Sequence, residues 1–248
     1  MLKTGGNREL TMVAKDRIIF ALDVGTIDAA RTWVDTLATK VGWFKVGLEL
    51  FTAAGPNVVE IIKGSGLKCF LDLKYHDIPN TVSGAVRSAT RMKVDMMTIH
   101  ISGGKSMIQA ARNAAAEEAR SIGISPPKII GVSVLTSLNQ DDLDDIGIKR
   151  PVKEQVLNLI NLAGESTIDG IVCSPADLAY VRPHIREGTT VITPGIRPAW
   201  AATGDQKRIA TPRTAIDAGA DLLVIGRPIS QADNPAEAVD RIVQEIES

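Results

Sequence analysis

Cysteine is scarce in this sequence: Cys69 and Cys173 are the whole complement. Both sit inside apolar runs, KCFLDL and GIVCS, where free thiols are commonly buried, and their spacing fits no zinc pattern. They read as two reduced core thiols of a cytoplasmic protein. An excess of one charge is also missing. With 28 Lys and Arg against 29 Asp and Glu, the formal net charge is −1. No basic excess therefore points to nucleic acid, and no Lys/Arg run points to a membrane surface. No apolar run approaches the roughly 20 residues of a membrane span. The first 16 residues, MLKTGGNRELTMVAKD, are polar and lack the apolar core of a signal peptide. Low-complexity segments and tandem repeats are absent too.

What the sequence does have is an alternation. Short apolar runs rich in β-branched residues recur at 17–23, 43–49, 68–74, 95–100, 128–135, 169–174, 189–195 and 221–227. Most lack polar alternation, as expected of parallel strands buried on both faces. Helical patterns fill the gaps, for example at 28–40, 79–92, 105–120 and 235–247, and Pro79 and Pro235 suit helix N-termini. Strands alternating with helices imply a parallel sheet. Eight such units in 248 residues predict an α/β fold closed into a (β/α)8, or TIM, barrel, a fold of typically about 250 residues. An open doubly wound sheet is the alternative, but no G-x-G-x-x-G follows the first strand, where RIIFALDVGT stands. The expected organisation is one barrel domain over 16–248, preceded by an extension at 1–15. The acidic patch DDLDD at 141–145 reads as a solvated face in the connection after strand 5. The segment 197–208, RPAWAATGDQKR, reads as a long βα loop on the catalytic face, where lids are found.

In a barrel, active-site residues sit at the C-terminal ends of strands. Several strand ends here carry charge. Asp23 ends strand 1, and Lys45 lies in strand 2 between Phe44 and Val46. Asp72 and Lys74 end strand 3, with Asp77 three residues on. Period-2 geometry puts Asp72 and Lys74 on one side of the strand and Leu73 on the other. Two charges on a buried strand face are costly unless paired, so a lone Asp-x-Lys reads first as a structural ion pair. Asp23 and Lys45 on neighbouring strands change that. Alternating charges at one end of a barrel form a preorganised electrostatic device. Carboxylates beside Lys74 favour its charged form. A protonated lysine can stabilise a developing carbanion and then give it a proton, whereas Schiff-base chemistry needs a neutral amine.

Strand 7 ends in Thr193-Pro194-Gly195-Ile196-Arg197, and strand 8 leads into Gly226-Arg227-Pro228. Loops after strands 7 and 8 of this fold often bind phosphate through backbone N–H groups. Gly195 and Gly226 would permit close backbone approach, and Arg227 would clamp phosphate oxygens.

The segment Asp72-Leu73-Lys74-Tyr75-His76-Asp77-Ile78-Pro79-Asn80-Thr81 resembles the D-x-K-x-x-D-I-P-N-T signature of the orotidine 5′-monophosphate decarboxylase family. Further matching pieces follow the same order: Phe20 to Asp23, Phe44 to Gly47, Thr193 to Arg197, Gly204-Asp205-Gln206 and Ile225 to Pro228. The resemblance covers about residues 16–246. It implies decarboxylation of orotidine 5′-monophosphate (OMP) to uridine 5′-monophosphate (UMP) and CO2, the final step of de novo pyrimidine nucleotide biosynthesis. In that reading Lys74 protonates C6 of the pyrimidine, Asp72 lies beside the substrate carboxylate, Lys45 pairs with Asp72 and touches the ribose, and Asp23 binds a ribose hydroxyl. Thr136 hydrogen-bonds the pyrimidine, with Ser137 a weaker choice, and Pro194 lines the base pocket. Arg197, Gln206, Gly226 and Arg227 hold the phosphate. Asp77 and Thr81 reach into the neighbouring subunit's site, which makes the family a homodimer. No metal, flavin or pyridoxal phosphate is required. Of the three histidines, His100 suits indirect support of the site, His184 suits an exposed position, and the direction of His76 is open.

Two other readings remain open at this point. Sibling sugar-phosphate enzymes on the same barrel resemble this chain in strand 3 but use magnesium held by an acidic ligand on strand 2. Here that strand offers Lys45, a poor magnesium ligand, and Glu49 is out of position. A non-catalytic nucleotide-binding protein would be marked by loss of a charged member, yet Asp23, Lys45, Asp72, Lys74 and Asp77 are all present.

Overall fold

The computed structural model describes residues 12–201 and 210–248. Its eight parallel strands are β1 (Ile18–Ala21), β2 (Trp43–Gly47), β3 (Lys68–Tyr75), β4 (Met96–His100), β5 (Lys128–Val132), β6 (Gly170–Val172), β7 (Thr190–Thr193) and β8 (Leu222–Ile225). They pair in sequence order and close into a barrel, as β8 pairs with β1. The expected TIM barrel is the observed fold.

Register explains where the core ends and the site begins. Ile19, Trp43, Phe70, Met96, Ile130, Ile192 and Leu222 form one apolar layer inside the barrel. The opposite parity, represented by Phe20, Phe44, Leu71, Met97, Ile129, Ile171, Val191 and Leu223, packs outward in the core shared with the helices. Both faces are thus buried, which is why the strands lack polar alternation. Two residues further along each strand, the interior layer becomes Ala21, Lys45, Asp72, Thr98, Val132, Pro194 and Val224. An apolar floor therefore carries a layer in which charge first appears.

The helices start where the sequence signals them. Helices Pro79–Arg91 and Pro235–Glu247 each begin at a proline, whose missing N–H costs nothing there. Thr26 caps helix Ile27–Leu37 by accepting the Ala29 N–H. Six of the eight apolar runs outlast their strands, as β1, β2, β5, β6, β7 and β8 end at Ala21, Gly47, Val132, Val172, Thr193 and Ile225, and two of these overruns take on other structure. The run 43–49 stops being strand at Gly47, and Leu48–Ala54 is a helix. The run 128–135 stops at Val132, because Val134 and Leu135 leave the sheet to line a cavity. The acidic patch is not wholly a solvated face. It forms the helix Gln140–Asp145, closed by a reciprocal cap between Asn139 and Asp142, and Leu143 is buried beneath it.

At the N-terminal end of the barrel, acidic residues have a different task. Asp95, Asp169 and Asp221 accept the backbone N–H of Cys69, Ile129 and Val191 at 2.7, 2.9 and 2.8 Å. Each sits near a cation, namely Lys63, Arg112 and Arg182. These brackets tie the starts of neighbouring strands together, so charge on this face is structural. Burial pushes the Cys69 and Cys173 thiols up to about 12, leaving both as inert apolar fillers. Among the described residues no helix is long and apolar enough to cross a membrane.

Candidate active site

At the C-terminal end of the barrel the charges form a chain. Lys74 Nζ donates to Asp72 Oδ1 at 2.9 Å, Lys45 Nζ lies 3.8 Å from Asp72 Oδ2, and Lys45 Nζ donates to Asp23 Oδ1 at 3.0 Å. Asp72 thus shares its two oxygens between two ammonium groups. The centre of the chain is deep, with side-chain exposures of 14% for Asp72 and 12% for Lys45, while Lys74 is 29% and Asp23 62% exposed. The two buried charges persist because each has an opposite neighbour.

The backbone is bent to make this possible. Leu71 pairs with Met97 and Tyr75 with Ile99, so Asp72, Leu73 and Lys74 occupy a stretch where β4 offers only Thr98. This is a bulge, a device that re-aims side chains at barrel rims. Lys74 sits at φ +50°, a left-handed conformation that is strained for a lysine and typical of functional sites. Gly47 makes room on the other side: a Cβ there would stand 3.0 Å from Lys45 Nζ and 3.6 Å from Asp23 Oδ1.

Two adjoining cavities share Lys45, Pro194 and Val224. The first, about 200 Å³, sets Lys45, Asp72 and Lys74 against Phe70, Val132, Val134, Val172 and Pro194, with Thr136 and Ser174 on its wall. The second, about 220 Å³, is lined by Asp23, Gly195, Arg197, Gly226 and Arg227 among others. Gly195 adopts φ +77°, which a side chain would resist. Gly226 passes so close to β1 that an added Cβ would lie 3.3 Å from the Ala21 Cβ. Arg197 is buried, and its backbone N–H is held by the Ala210 carbonyl at 2.9 Å. One end of the cleft is thus apolar with an ordered charge chain, and the other offers two arginines and close backbone.

The structure brings together Asp23, Lys45, Asp72, Lys74, Thr136, Pro194, Arg197, Gly226 and Arg227, as the sequence leads one to expect. Ser137 does not line either cavity. Asp77 and Thr81 stand apart, exposed around the start of helix Pro79–Arg91, where Asp77 Oδ1 accepts the Ile78 N–H at 2.6 Å. Gln206 lies outside the described residues, as does most of the 197–208 loop. His100 is partly buried and its ring centroid is 5.3 Å from that of His76. Burial, then the nearby His76 and Lys74, lower the His100 pKa, which favours the neutral ring. His184 is exposed.

Two residues escaped the sequence reading. Ser174 lines the first cavity. Thr98 is fully buried, accepts the Lys74 backbone N–H at 2.8 Å and donates to Asp72 Oδ1 at 3.0 Å. Parity was the available signal for Thr98: it lies two residues beyond Met96, so it shares the interior face with the charged layer.

Comparison with known proteins gives one answer. The family model described as Orotidine 5′-phosphate decarboxylase / HUMPS family matches residues 16–242. The orotidine 5′-phosphate decarboxylase of Moorella thermoacetica is 48% identical over 239 residues, covering 96% of this chain and 95% of its own. That of Trichlorobacter lovleyi is 47% identical over 233 residues, covering 94% and 96%. Among solved structures, orotidine 5′-phosphate decarboxylase from Lactobacillus acidophilus superposes with a TM-score of 0.84 at 34% identity, over 94% of this chain and all of that one. The enzyme of the same name from Pyrococcus horikoshii gives 0.74 at 25% identity, covering 93% and 99%. By fold and by sequence over nearly its whole length, the chain belongs to the orotidine 5′-phosphate decarboxylase / HUMPS family.

Proposed function

We propose that this protein is a carboxy-lyase that converts OMP to UMP and CO2, closing pyrimidine nucleotide synthesis in the cytoplasm. The observation that carries the reading is Asp72 held between Lys45 and Lys74 against an apolar wall. As CO2 leaves, the electron pair of the broken bond stays on C6 of the pyrimidine. Lys74 faces that developing charge and then delivers its proton to C6. Asp72 lies beside the departing carboxylate and orders both lysines; fixed charge in a water-poor site needs no reorganisation during reaction. Lys45 and Asp23 hold the ribose. Thr136 bonds the pyrimidine, and Pro194 walls the base. Arg197, Gly226 and Arg227 receive the phosphate, with Gln206 of the 197–208 loop. The buried reduced thiols suit a reducing compartment.

The working unit in this reading is a homodimer of single-domain chains, each a barrel over 16–248 behind an extension at 1–15. Asp77 and Thr81 complete the partner's site. Leu48 and Ile78, 58% and 67% exposed on the same rim, are apolar side chains that such an interface would cover. No metal or organic cofactor takes part. A magnesium-dependent sibling reaction is disfavoured by the donor set, since β2 presents the Lys45 ammonium. Glu49 sits instead in helix Leu48–Ala54, with Oε1 3.5 Å from where a Gly25 Cβ would stand.

The experiment is direct. Purified protein incubated with OMP should yield UMP and one CO2 per substrate consumed. A folded protein that leaves OMP intact would redirect the assignment to sugar-phosphate substrates with magnesium. Arg227→Ala should chiefly raise KM, by about 10- to 100-fold, as expected for a lost charge-assisted bond of ~1.5–3 kcal/mol. Unchanged steady-state constants in that variant would remove Arg227 from the phosphate site.

A further inference from the structure

We propose that Thr98 is a positioning residue for the reaction, a single hydroxyl that fixes both Asp72 and the backbone of Lys74. The inference rests on the roles given above to those two residues. It adds a member from β4 that lines neither of the two cavities described above and holds no charge.

The bulge in β3 creates the need for such an anchor. Between Leu71, paired with Met97, and Tyr75, paired with Ile99, β3 spends three residues where β4 spends one, Thr98. In a regular ladder the Lys74 N–H would find a β4 carbonyl. Here it donates to Thr98 Oγ1 at 2.8 Å. That hydroxyl has a single proton, and with an N–H already pointing at its oxygen, the proton goes to the other neighbour, Asp72 Oδ1, 3.0 Å away. A carboxylate only accepts, so the direction of both bonds is fixed. Asp72 Oδ1 then receives two donors, Thr98 Oγ1 and Lys74 Nζ, while Oδ2 is left to Lys45.

Two features of the site therefore share one anchor. The left-handed Lys74 backbone, at φ +50°, is tethered at its N–H. The Asp72 carboxylate is turned so that its two oxygens face different lysines. Thr98 itself cannot drift. It is fully buried within β4, between Met97 and Ile99, which are also buried. As a β-branched residue in a strand it has a restricted χ1. A shift of about 1 Å in a reacting group can cost on the order of 100-fold in rate, even when the altered residue never meets substrate. Substrate binding should be spared, because ribose and phosphate are held by Asp23, Arg197 and Arg227 at the far end of the cleft.

The test is steady-state kinetics on Thr98→Val, Thr98→Ser and Lys74→Ala, with melting temperature and UMP affinity measured on each. Valine keeps the shape and deletes both hydrogen bonds; serine keeps the hydroxyl. The expected result is a kcat for Thr98→Val lowered by about 10- to 100-fold with KM within about threefold of the parent, and Thr98→Ser restored to within about threefold in kcat. If the valine protein does not fold, Thr98→Ala deletes the same hydroxyl with less crowding and carries the same expectation. A hydroxyl-free variant with parental kcat, or a serine variant as impaired as valine, overturns the proposal. So does a loss confined to KM. Lys74→Ala separates the two levels. If it loses turnover while Thr98→Val does not, only the role of Thr98 falls. If it turns over normally, the reading of Lys74 fails and takes this inference with it.

Discussion

Lys74→Ala should lose nearly all turnover, by roughly 10⁵-fold or more in kcat, while the protein stays folded. Two effects combine. A unit charge about 4 Å from the developing carbanion is worth roughly 4 kcal/mol at an effective dielectric of 20, or about three powers of ten in rate. Loss of the proton donor costs a further ~10²–10⁴-fold. Both act as the bond to CO2 breaks and not on bound OMP, so KM should move far less than kcat. Folding should survive because the 29% exposed Lys74 side chain leaves Asp72 with Lys45 and the Thr98 hydroxyl as partners. Near-parental turnover would remove Lys74 from the chemistry.

The second large effect is a gain. Asp77→Ala and Lys74→Ala proteins should each be nearly inactive alone, and a mixture that has exchanged subunits should recover about a quarter of parental activity. In a two-fold dimer with sites shared across the interface, half of randomly mixed dimers are hybrids, and each hybrid has one intact site and one doubly damaged site. Asp77 and Thr81 stand exposed at the rim of their own chain, outside both cavities, which is where residues serving a partner belong. Absence of recovery after demonstrated subunit exchange would confine each site to a single chain.

Much of this was legible in the residues, for identifiable reasons. The strands were visible because both of their faces are buried, so Ile18, Ile19 and Phe20 read as one apolar run. Where the reading overran, the cause was that apolar residues have uses other than pairing. Val134 and Leu135 look like a continuation of β5 but line the cavity. Leu48 looks like more of β2 but opens a helix and is left exposed. Asp72 and Lys74 do share a side, yet a simple pleat is not the reason. Lys74 reaches it through a bulge and a left-handed backbone, neither of which alternation encodes. For the same reason Thr98 passed unnoticed: a threonine flanked by Met97 and Ile99 looks like ordinary strand until the register shift gives its hydroxyl two partners. The bracket aspartates show the converse. Asp95, Asp169 and Asp221 open strands just as Asp23 and Asp72 stand at strand ends, and only barrel polarity separates structural from chemical carboxylates. The proposed placement of Asp77 across an interface follows from no local spacing at all; only the resemblance implies it.

In the proposed mechanism fixed lysine and aspartate charges, with no metal, carry the decarboxylation. The measurement that tests it most directly is the loss of OMP absorbance catalysed by purified protein in excess EDTA, repeated after adding magnesium beyond the chelator. Rapid conversion to UMP at the same rate in both is the expected result. Activity that vanishes in EDTA and returns with magnesium would contradict it.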